Sequence, residues 1–135
     1  MTNSAATQGA HHIGLTVPDL QQTRTFFVDT LGFKQVGEKP DYPAVFVSDG
    51  TIMITLWQAV NPEQATPFDR KNVIGLHHFA LKMESLTVLN ELHQTLTQTP
   101  DVEIEFAPES LGGSPMHHMM CYIPGGIRME FIAAG

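Results

Sequence analysis

Six of the seven histidines in this chain of 135 residues lie in three adjacent pairs: His11-His12, His77-His78 and His117-His118. The pairs are well separated along the chain, so a single terminal tag does not account for them. Neutral imidazole is a common ligand for divalent transition metals, whereas calcium and magnesium prefer all-oxygen sites. The pairs therefore indicate a metal site that folding assembles from distant parts of the chain.

The pattern of apolar residues predicts two halves with the same order of elements: a strand, a helix and three further strands. The predicted helices begin at Leu20 and Leu86, and a loop rich in Gly, Ser and Pro is predicted at 108–115. The predicted strands cover residues 12–17, 33–36, 44–47, 52–57, 78–81, 102–106, 118–123 and 127–132.

The two halves can be aligned residue by residue, which places His12 over His78 and Thr55 over Glu130. Repetition of this kind usually means that one supersecondary unit was duplicated to close a shared core. We therefore predict a single domain over the whole chain. Its modules are predicted at about 11–60 and about 74–133, with a linker at about 61–73.

Because side chains alternate across a strand, each histidine pair is predicted to send one imidazole to each face of its sheet. The apolar residues of four strands share one face, which suits packing under the two helices. The opposite face holds His12, His78 and Glu130, with the small residues Gly14 and Ala80 beside the histidines. We predict that these three side chains bind one metal ion.

Two imidazoles and one carboxylate form a facial triad, which leaves coordination positions open for water or substrate. The predicted cofactor is one divalent transition-metal ion, either Fe, Mn, Ni, Co or Zn. Such an ion can polarise substrate oxygens, lower the pKa of bound water or, as Fe(II), activate dioxygen. A small substrate with two adjacent oxygens could fill the open positions.

The composition argues against several other functions. The net charge of −7 and the pI near 5.3, without a Lys/Arg cluster, argue against nucleic-acid binding. No apolar run approaches the roughly 18 residues of a membrane span, and the N-terminus lacks the pattern of a secretory signal. Cys121 is the sole cysteine, which fits a reducing compartment. We therefore expect a cytoplasmic protein with no nucleic-acid or membrane partner.

Four segments resemble the vicinal oxygen chelate superfamily, which includes glyoxalase I, bleomycin resistance proteins and extradiol dioxygenases. These segments are HIGLTVPDL at 12–20, FFVDTLGF at 26–33, HFAL at 78–81 and PGGIRMEF at 124–131. The resemblance implies an α+β fold in which two βαβββ modules form a curved mixed sheet, a half-barrel, around a metal. It also implies helices on the outer face and a homodimer.

The resemblance also implies four ligand positions, which here are His12, Thr55, His78 and Glu130. Members similar to glyoxalase I usually carry Glu or Gln at the position of Thr55, and isomerases of that group often use a Glu there as a base. Threonine is a poor ligand and no base near neutral pH, which argues against that chemistry. Extradiol dioxygenases also supply a His and a Tyr ahead of the last strand. His118 and Tyr122 lie in that region and are the candidate catalytic residues.

Thr55, Trp57 and Arg128 share faces with the predicted ligands and are candidate substrate-pocket residues. The predicted function is a metal-dependent enzyme acting on a small substrate that chelates the metal. Its reaction is either extradiol-dioxygenase-like or of the lyase and isomerase type found in glyoxalases. A metal-free, drug-sequestering protein similar to bleomycin resistance proteins is the alternative, because an acidic surface suits a cationic drug. Fosfomycin-resistance proteins suggest a third role, but they need basic residues that are sparse here.

Overall fold

The computed structural model of the protein describes residues 4–135. The chain divides into two compact units, Met1–Pro62 and Glu63–Gly135. The division falls inside the segment predicted as a linker. Among the described residues, no helix has the length and apolar character that crossing a membrane requires.

The first unit contains one helix and a mixed sheet of four strands in the order β1-β4-β3-β2. Strand β1 is parallel to β4, and the other neighbours are antiparallel. The elements are β1 (His12–Val17), α1 (Leu20–Thr25), a π-helical turn (Phe26–Thr30), β2 (Lys34–Lys39), β3 (Ala44–Ser48) and β4 (Met53–Gln58).

The local sequence explains both ends of helix α1. Asp19 caps it, because its Oδ1 accepts a hydrogen bond of 3.1 Å from the backbone N–H of Gln22 in the first turn. At the other end the helix widens into the π-helical turn, where the N–H of Leu31 donates to the carbonyl oxygen of Phe26 at 3.1 Å. This turn buries Phe26 and Phe27. Burial of each ring contributes roughly 2–3 kcal/mol to stability.

The second unit repeats this plan, with a sheet in the order β5-β8-β7-β6. Strand β5 is parallel to β8, and β6, β7 and β8 are antiparallel neighbours. The elements are β5 (Phe79–Lys82), α2 (Leu86–Thr97), β6 (Glu103–Ser110), β7 (Met116–Tyr122) and β8 (Arg128–Ala134).

Helix α2 begins after Ser85, whose Oγ accepts a hydrogen bond of 3.2 Å from the N–H of Val88. Its leucines Leu89 and Leu96 are fully buried, and the helix packs on β6, β7 and β8. The thiol of Cys121 on β7 is also fully buried in this core. Burial raises its pKa to about 12, because the thiolate would be desolvated there.

The α+β class and the two βαβββ modules predicted from the sequence are confirmed. Most strand boundaries differ from the prediction by one to three residues, and the largest difference is at β6, which runs on to Ser110 through Pro108, where the sequence predicted a loop. Proline is tolerated there because β6 is an edge strand and its register shifts between Phe106 and Glu109.

Candidate metal centre

The strand register places the aligned residues of the two units in equivalent positions. In the first unit Gly14 of β1 pairs with Thr55 of β4. In the second unit Ala80 of β5 pairs with Glu130 of β8. The histidine that precedes this pair by two residues is the first residue of β1 in the first unit (His12) and directly precedes β5 in the second (His78). The backbone therefore presents Thr55 and Glu130 in the same way.

Glu130 is a buried carboxylate held by two histidines of its own unit. Its residue exposure is 8%, although it lies on a strand that carries polar groups on one face. Its Oε1 lies 3.1 Å from His78 Nε2, and its Oε2 lies 2.7 Å from His118 Nδ1. Each carboxylate oxygen thus has its own imidazole partner.

His118 reaches Glu130 because it points to the same face from the neighbouring antiparallel strand. Met120 of β7 lies opposite Glu130, and His118 is two residues away, so strand alternation places both side chains on that face. An ionised carboxylate can only accept hydrogen bonds, so His118 Nδ1 is the donor. The ring of Phe106 packs against the imidazole with centroids 5.0 Å apart. Because Nδ1 carries the hydrogen, a neutral His118 has its lone pair on Nε2.

The two members of the pair His77-His78 contact each other, with their Nδ1 atoms 2.7 Å apart. The prediction that their imidazoles lie on opposite faces was wrong, because β5 begins only at Phe79 and the pair precedes the regular strand. His11 and His12 make the same contact in the first unit, at 2.9 Å. The contact is thus a repeated feature of both units.

The contact with Arg128 indicates that Nδ1 of His77 is a hydrogen-bond acceptor. Its Nη1 lies 3.5 Å from His77 Nδ1, and a guanidinium has only N–H donors. His77 Nδ1 is therefore the acceptor, and Nδ1 of His78 carries the hydrogen. Desolvation and then the positive charge of Arg128 lower the pKa of His77, which favours this neutral form.

Arg128 is itself held by a carboxylate that the sequence analysis missed. Its Nε and Nη2 each donate to Glu105 at 2.8 Å, and Arg128 is only 6% exposed. Arg70 adds a contact of 2.6 Å between its Nη1 and Glu105 Oε1. The bond from Arg128 is the main reason that the pKa of Glu105 falls to about 2. The same pair raises the pKa of Arg128.

Glu105 had no signal in the sequence because a register shift orients it. The partners of β7 step from Ile104 directly to Phe106, so Glu105 is the extra residue of a β-bulge. Tyr122, predicted as catalytic, lies opposite Arg128, and its hydroxyl contributes to the lowered pKa of Glu105. The structure therefore joins Tyr122 to the Glu105 cluster, whereas it joins His118 to Glu130.

Thr55 and Trp57 of the first unit hydrogen-bond to each other. The indole Nε1 of Trp57 donates to Thr55 Oγ1 at 2.8 Å, and Thr55 is 4% exposed. Gly14 leaves room for this contact, since a Cβ on it would lie 3.1 Å from the Thr55 hydroxyl. Tyr42 packs edge-on against the indole, with centroids 4.5 Å apart. His12 lies at the exposed start of β1.

Across residues 4–135, no group of three or more His, Cys, Asp or Glu side chains has an arrangement that could hold a metal ion. Within the second unit, His78 and Glu130 bring an imidazole nitrogen and a carboxylate oxygen next to each other. Ligand atoms about 2.1 Å from one metal lie roughly 3.0–3.4 Å from each other. The separation of 3.1 Å between His78 Nε2 and Glu130 Oε1 fits two neighbouring ligands of one metal.

Comparison with known proteins identifies the family. The sequence profile of the Glyoxalase/Bleomycin resistance protein/Dioxygenase superfamily matches residues 9–131. The chain therefore belongs to this superfamily, as the sequence motifs had indicated. The comparison with curated protein sequences gives no match.

Solved structures share the fold at low sequence identity. A glyoxylase/bleomycin resistance protein/dioxygenase domain from Frankia sp. EAN1pec has a TM-score of 0.81 and 20% identity, covering 96% of this chain and 100% of that one. Lactoylglutathione lyase from Agrobacterium tumefaciens has a TM-score of 0.68 and 20% identity, covering 96% of each chain. A genomically encoded fosfomycin resistance protein from Listeria monocytogenes has a TM-score of 0.72 and 16% identity, covering 96% of this chain and 95% of that one.

Proposed function

We propose that this protein is a metal-dependent enzyme acting on a small substrate that chelates the metal through two adjacent oxygens. His78 Nε2 and Glu130 Oε1 are the proposed ligands from the second unit. That His12 completes the ligand set stays a prediction from the sequence. One divalent transition-metal ion, Fe, Mn, Ni, Co or Zn, is the proposed cofactor, because two imidazoles with a carboxylate suit these metals.

One observation carries the proposal: His78 Nε2 lies 3.1 Å from Glu130 Oε1, and the contacts of His77 assign the lone pair of a neutral His78 to that nitrogen. Arg128 makes His77 Nδ1 an acceptor, so His78 carries its hydrogen on Nδ1 and its lone pair on Nε2. That lone pair lies 3.1 Å from Glu130 Oε1, which is also an acceptor. The arrangement is repulsive unless a cation, either a second proton on His78 or a metal ion, lies at this point. A divalent cation would satisfy both lone pairs at once.

The contact between His118 and Glu130 supports the same role. A ligating carboxylate is usually hydrogen-bonded through its free oxygen, which fixes its orientation. His118 Nδ1 donates to Glu130 Oε2 at 2.7 Å and leaves Oε1 for the cation. His118 thus contacts the proposed ligand Glu130 and is not itself a proposed ligand. This position is compatible with the catalytic role that the family resemblance implied for it.

When bound, the metal polarises the substrate oxygens and makes the protons near them more acidic. His118 then has a defined function in proton transfer. Because its Nδ1 hydrogen is held by Glu130, its Nε2 can accept a substrate proton and later return it. The developing imidazolium is stabilised by the Glu130 carboxylate.

Thr55 bears on the type of reaction. Its hydroxyl accepts the indole N–H of Trp57, and a threonine is not a base near neutral pH. The first unit therefore supplies no general base at this position, and we assign that role to His118 of the second unit. Both dioxygenase-like and glyoxalase-like reactions begin with removal of a proton, so this assignment serves either one.

The proposal is tested by elemental analysis of protein purified without added metal and then titrated with each candidate metal. We expect about one metal ion per chain, with binding lost in His78→Ala and Glu130→Gln and weakened in His12→Ala. His93→Ala, which changes a histidine of helix α2, is the matched control. Iron in the purified protein would favour dioxygenase chemistry, whereas nickel or zinc would favour a lyase or isomerase. Equal binding by Glu130→Gln and wild type would refute the site.

A drug-sequestering protein without metal is the second candidate. The net charge of −7 and the aromatic pair Tyr42 and Trp57 would suit a cationic aromatic ligand. This candidate predicts no metal binding together with tight binding of a cationic drug such as bleomycin. It also predicts that Glu130→Gln leaves drug binding intact unless that carboxylate contacts the drug.

A further inference from the structure

A pocket whose lining does not include the proposed ligands His78 and Glu130 lies within the second unit. It has a volume of about 600 Å³ and is lined by residues 66–73 and by Tyr122 of β7. Pockets for small molecules usually measure about 300–1,000 Å³. We propose that this pocket binds a small organic anion, and specifically a carboxylate carried on an aromatic ring.

Positive charge is concentrated here in an otherwise acidic chain. The chain has only seven Lys and Arg residues, and its net charge is −7. Arg70 and Lys71 line the pocket, and Arg128 shares the Glu105 carboxylate with Arg70. Asp69 also lines the pocket, so three cations accompany two carboxylates and one positive charge is uncompensated.

Arg70 keeps donors for a ligand. Arg128 binds Glu105 through two nitrogens, whereas Arg70 uses only Nη1 on the same carboxylate. The Nε and Nη2 groups of Arg70 can therefore donate in parallel to a carboxylate, which is the geometry that guanidinium groups favour.

Lys71 adds a second cation to the pocket wall. Its backbone N–H donates to Asp69 Oδ1 at 2.9 Å, which holds the turn and directs that carboxylate to the backbone. Within the described part of the chain, the ammonium group of Lys71 has no ion-pair partner. An incoming anion would meet both Arg70 and Lys71.

The aromatic part of the proposed ligand follows from the remaining walls. The rings of Phe68 and Tyr122 lie 6.5 Å apart with an interplanar angle of 56°. Aromatic side chains in this arrangement offer both a ring face and a ring edge to a flat apolar ligand. A carboxylate directed at Arg70 with its ring against Tyr122 would use both features.

The pocket also has a relation to the proposed metal site. Tyr122 pairs with Arg128, and Arg128 lies two residues before Glu130, so all three share one face of the sheet. We infer that the bound anion is the acidic end of the substrate whose adjacent oxygens reach the metal. This part of the inference rests on the proposed function, whereas the anion pocket itself does not.

The test is calorimetric titration of benzoate into the full chain after metal removal with a chelator. We expect saturable binding with a Kd of about 1 mM, a usual affinity for a ligand of this size. Lys71→Gln, which changes an exposed side chain without a packing role, should weaken binding severalfold. Arg70→Gln should weaken it about tenfold or more, since a charged hydrogen bond is lost. Arg24→Gln in helix α1 is the matched control and should bind like wild type.

Two outcomes would overturn the inference. One is equal binding of benzoate by wild type, Lys71→Gln and Arg70→Gln. The other is binding of neutral benzyl alcohol as tightly as benzoate, which would remove the anion from the argument. Because metal-free protein is used, these results are independent of the metal titrations. A failure here leaves the proposed metal site standing, and the reverse also holds.

Discussion

The two units of this chain share one backbone plan but carry different residues at the aligned positions Thr55 and Glu130. Both have the order βαβββ, the same strand pairing and a histidine pair whose Nδ1 atoms contact each other. At the shared position the first unit has Thr55, bonded to an indole, and the second has Glu130, held by two histidines. The comparison indicates that a duplicated fold can keep its backbone geometry while only one copy carries a carboxylate at this position.

The difference extends to the neighbouring positions of the strands. Register places His118 opposite Ile132 in the second unit, and the equivalent pair in the first unit is Ala44 and Trp57. The first unit thus has no imidazole at the position from which His118 orients Glu130. The second unit therefore differs from the first both at Glu130 and at the histidine that contacts it.

The largest expected effect comes from making the second unit resemble the first. Glu130→Thr should lower metal affinity by more than about 100-fold, since removal of a ligand costs more than removal of its hydrogen-bond partner. Metal titration with a chelator competitor measures this. Thr55→Val in the first unit is the matched control. A comparable loss in Thr55→Val would show that the two units do not differ in this way.

A smaller loss of affinity is expected when only the orienting partner is removed. His118→Ala should weaken metal binding about 10- to 100-fold, because Glu130 Oε2 loses its donor. Its effect on turnover should exceed its effect on substrate KM, since it also removes the proposed base. His117→Ala, at the other member of the same pair, provides the comparison. Unchanged affinity and turnover in His118→Ala would contradict its role.

The cluster around Glu105 is part of the second unit, and we expect it to make the stability of that unit depend on pH in the acid range. The pKa of Glu105 is lowered to about 2 from its ordinary value of 4.5, so its contribution to stability is complete above pH 4.5. The contribution is lost as the pH falls towards 2. Glu105→Gln should lower the free energy of unfolding at pH 7 by about 1–3 kcal/mol and flatten this acid dependence. Urea unfolding at several pH values checks both effects. If the unfolding free energy of the variant depended on pH as that of the wild type does, the assignment would be contradicted.

The smallest effect concerns the hydrogen bond that occupies Thr55. Trp57→Phe removes the indole N–H but keeps an aromatic ring beside Tyr42. We expect a loss of stability of about 1 kcal/mol, with metal affinity unchanged. Thermal unfolding and metal titration of the same sample would measure the two quantities. A large change in metal affinity would assign the first unit a greater part in the site than its contacts indicate.

Much of the fold followed from the sequence because apolar alternation and turn residues are local signals. Asp19 and Ser85 mark the starts of both helices, and the alignment of Thr55 with Glu130 agrees with the strand register. The proximity of His78 and Glu130 was also predicted, although from repetition and resemblance rather than from a local pattern.

Other features depended on tertiary contacts that no local pattern encodes. The β-bulge at Glu105 changes which face its side chain takes, and Pro108 is accommodated only because β6 is an edge strand. The contact between His77 and His78 arises because the pair lies ahead of β5, where strand alternation does not apply. Each of these features depends on a shift of one or two residues in strand register or strand boundary. The periodicity of the sequence does not determine such a shift.

Because Cys121 is buried, its reaction with a thiol reagent would report local opening of the second unit. A thiol whose pKa is about 12 hardly forms the thiolate at neutral pH, so alkylating reagents cannot modify it while β7 stays packed. Since the chain has no other cysteine, every label taken up under native conditions records an excursion in which the core of the second unit is exposed. The rate of labelling with and without metal would then show whether ligand binding tightens this core or leaves it as it was.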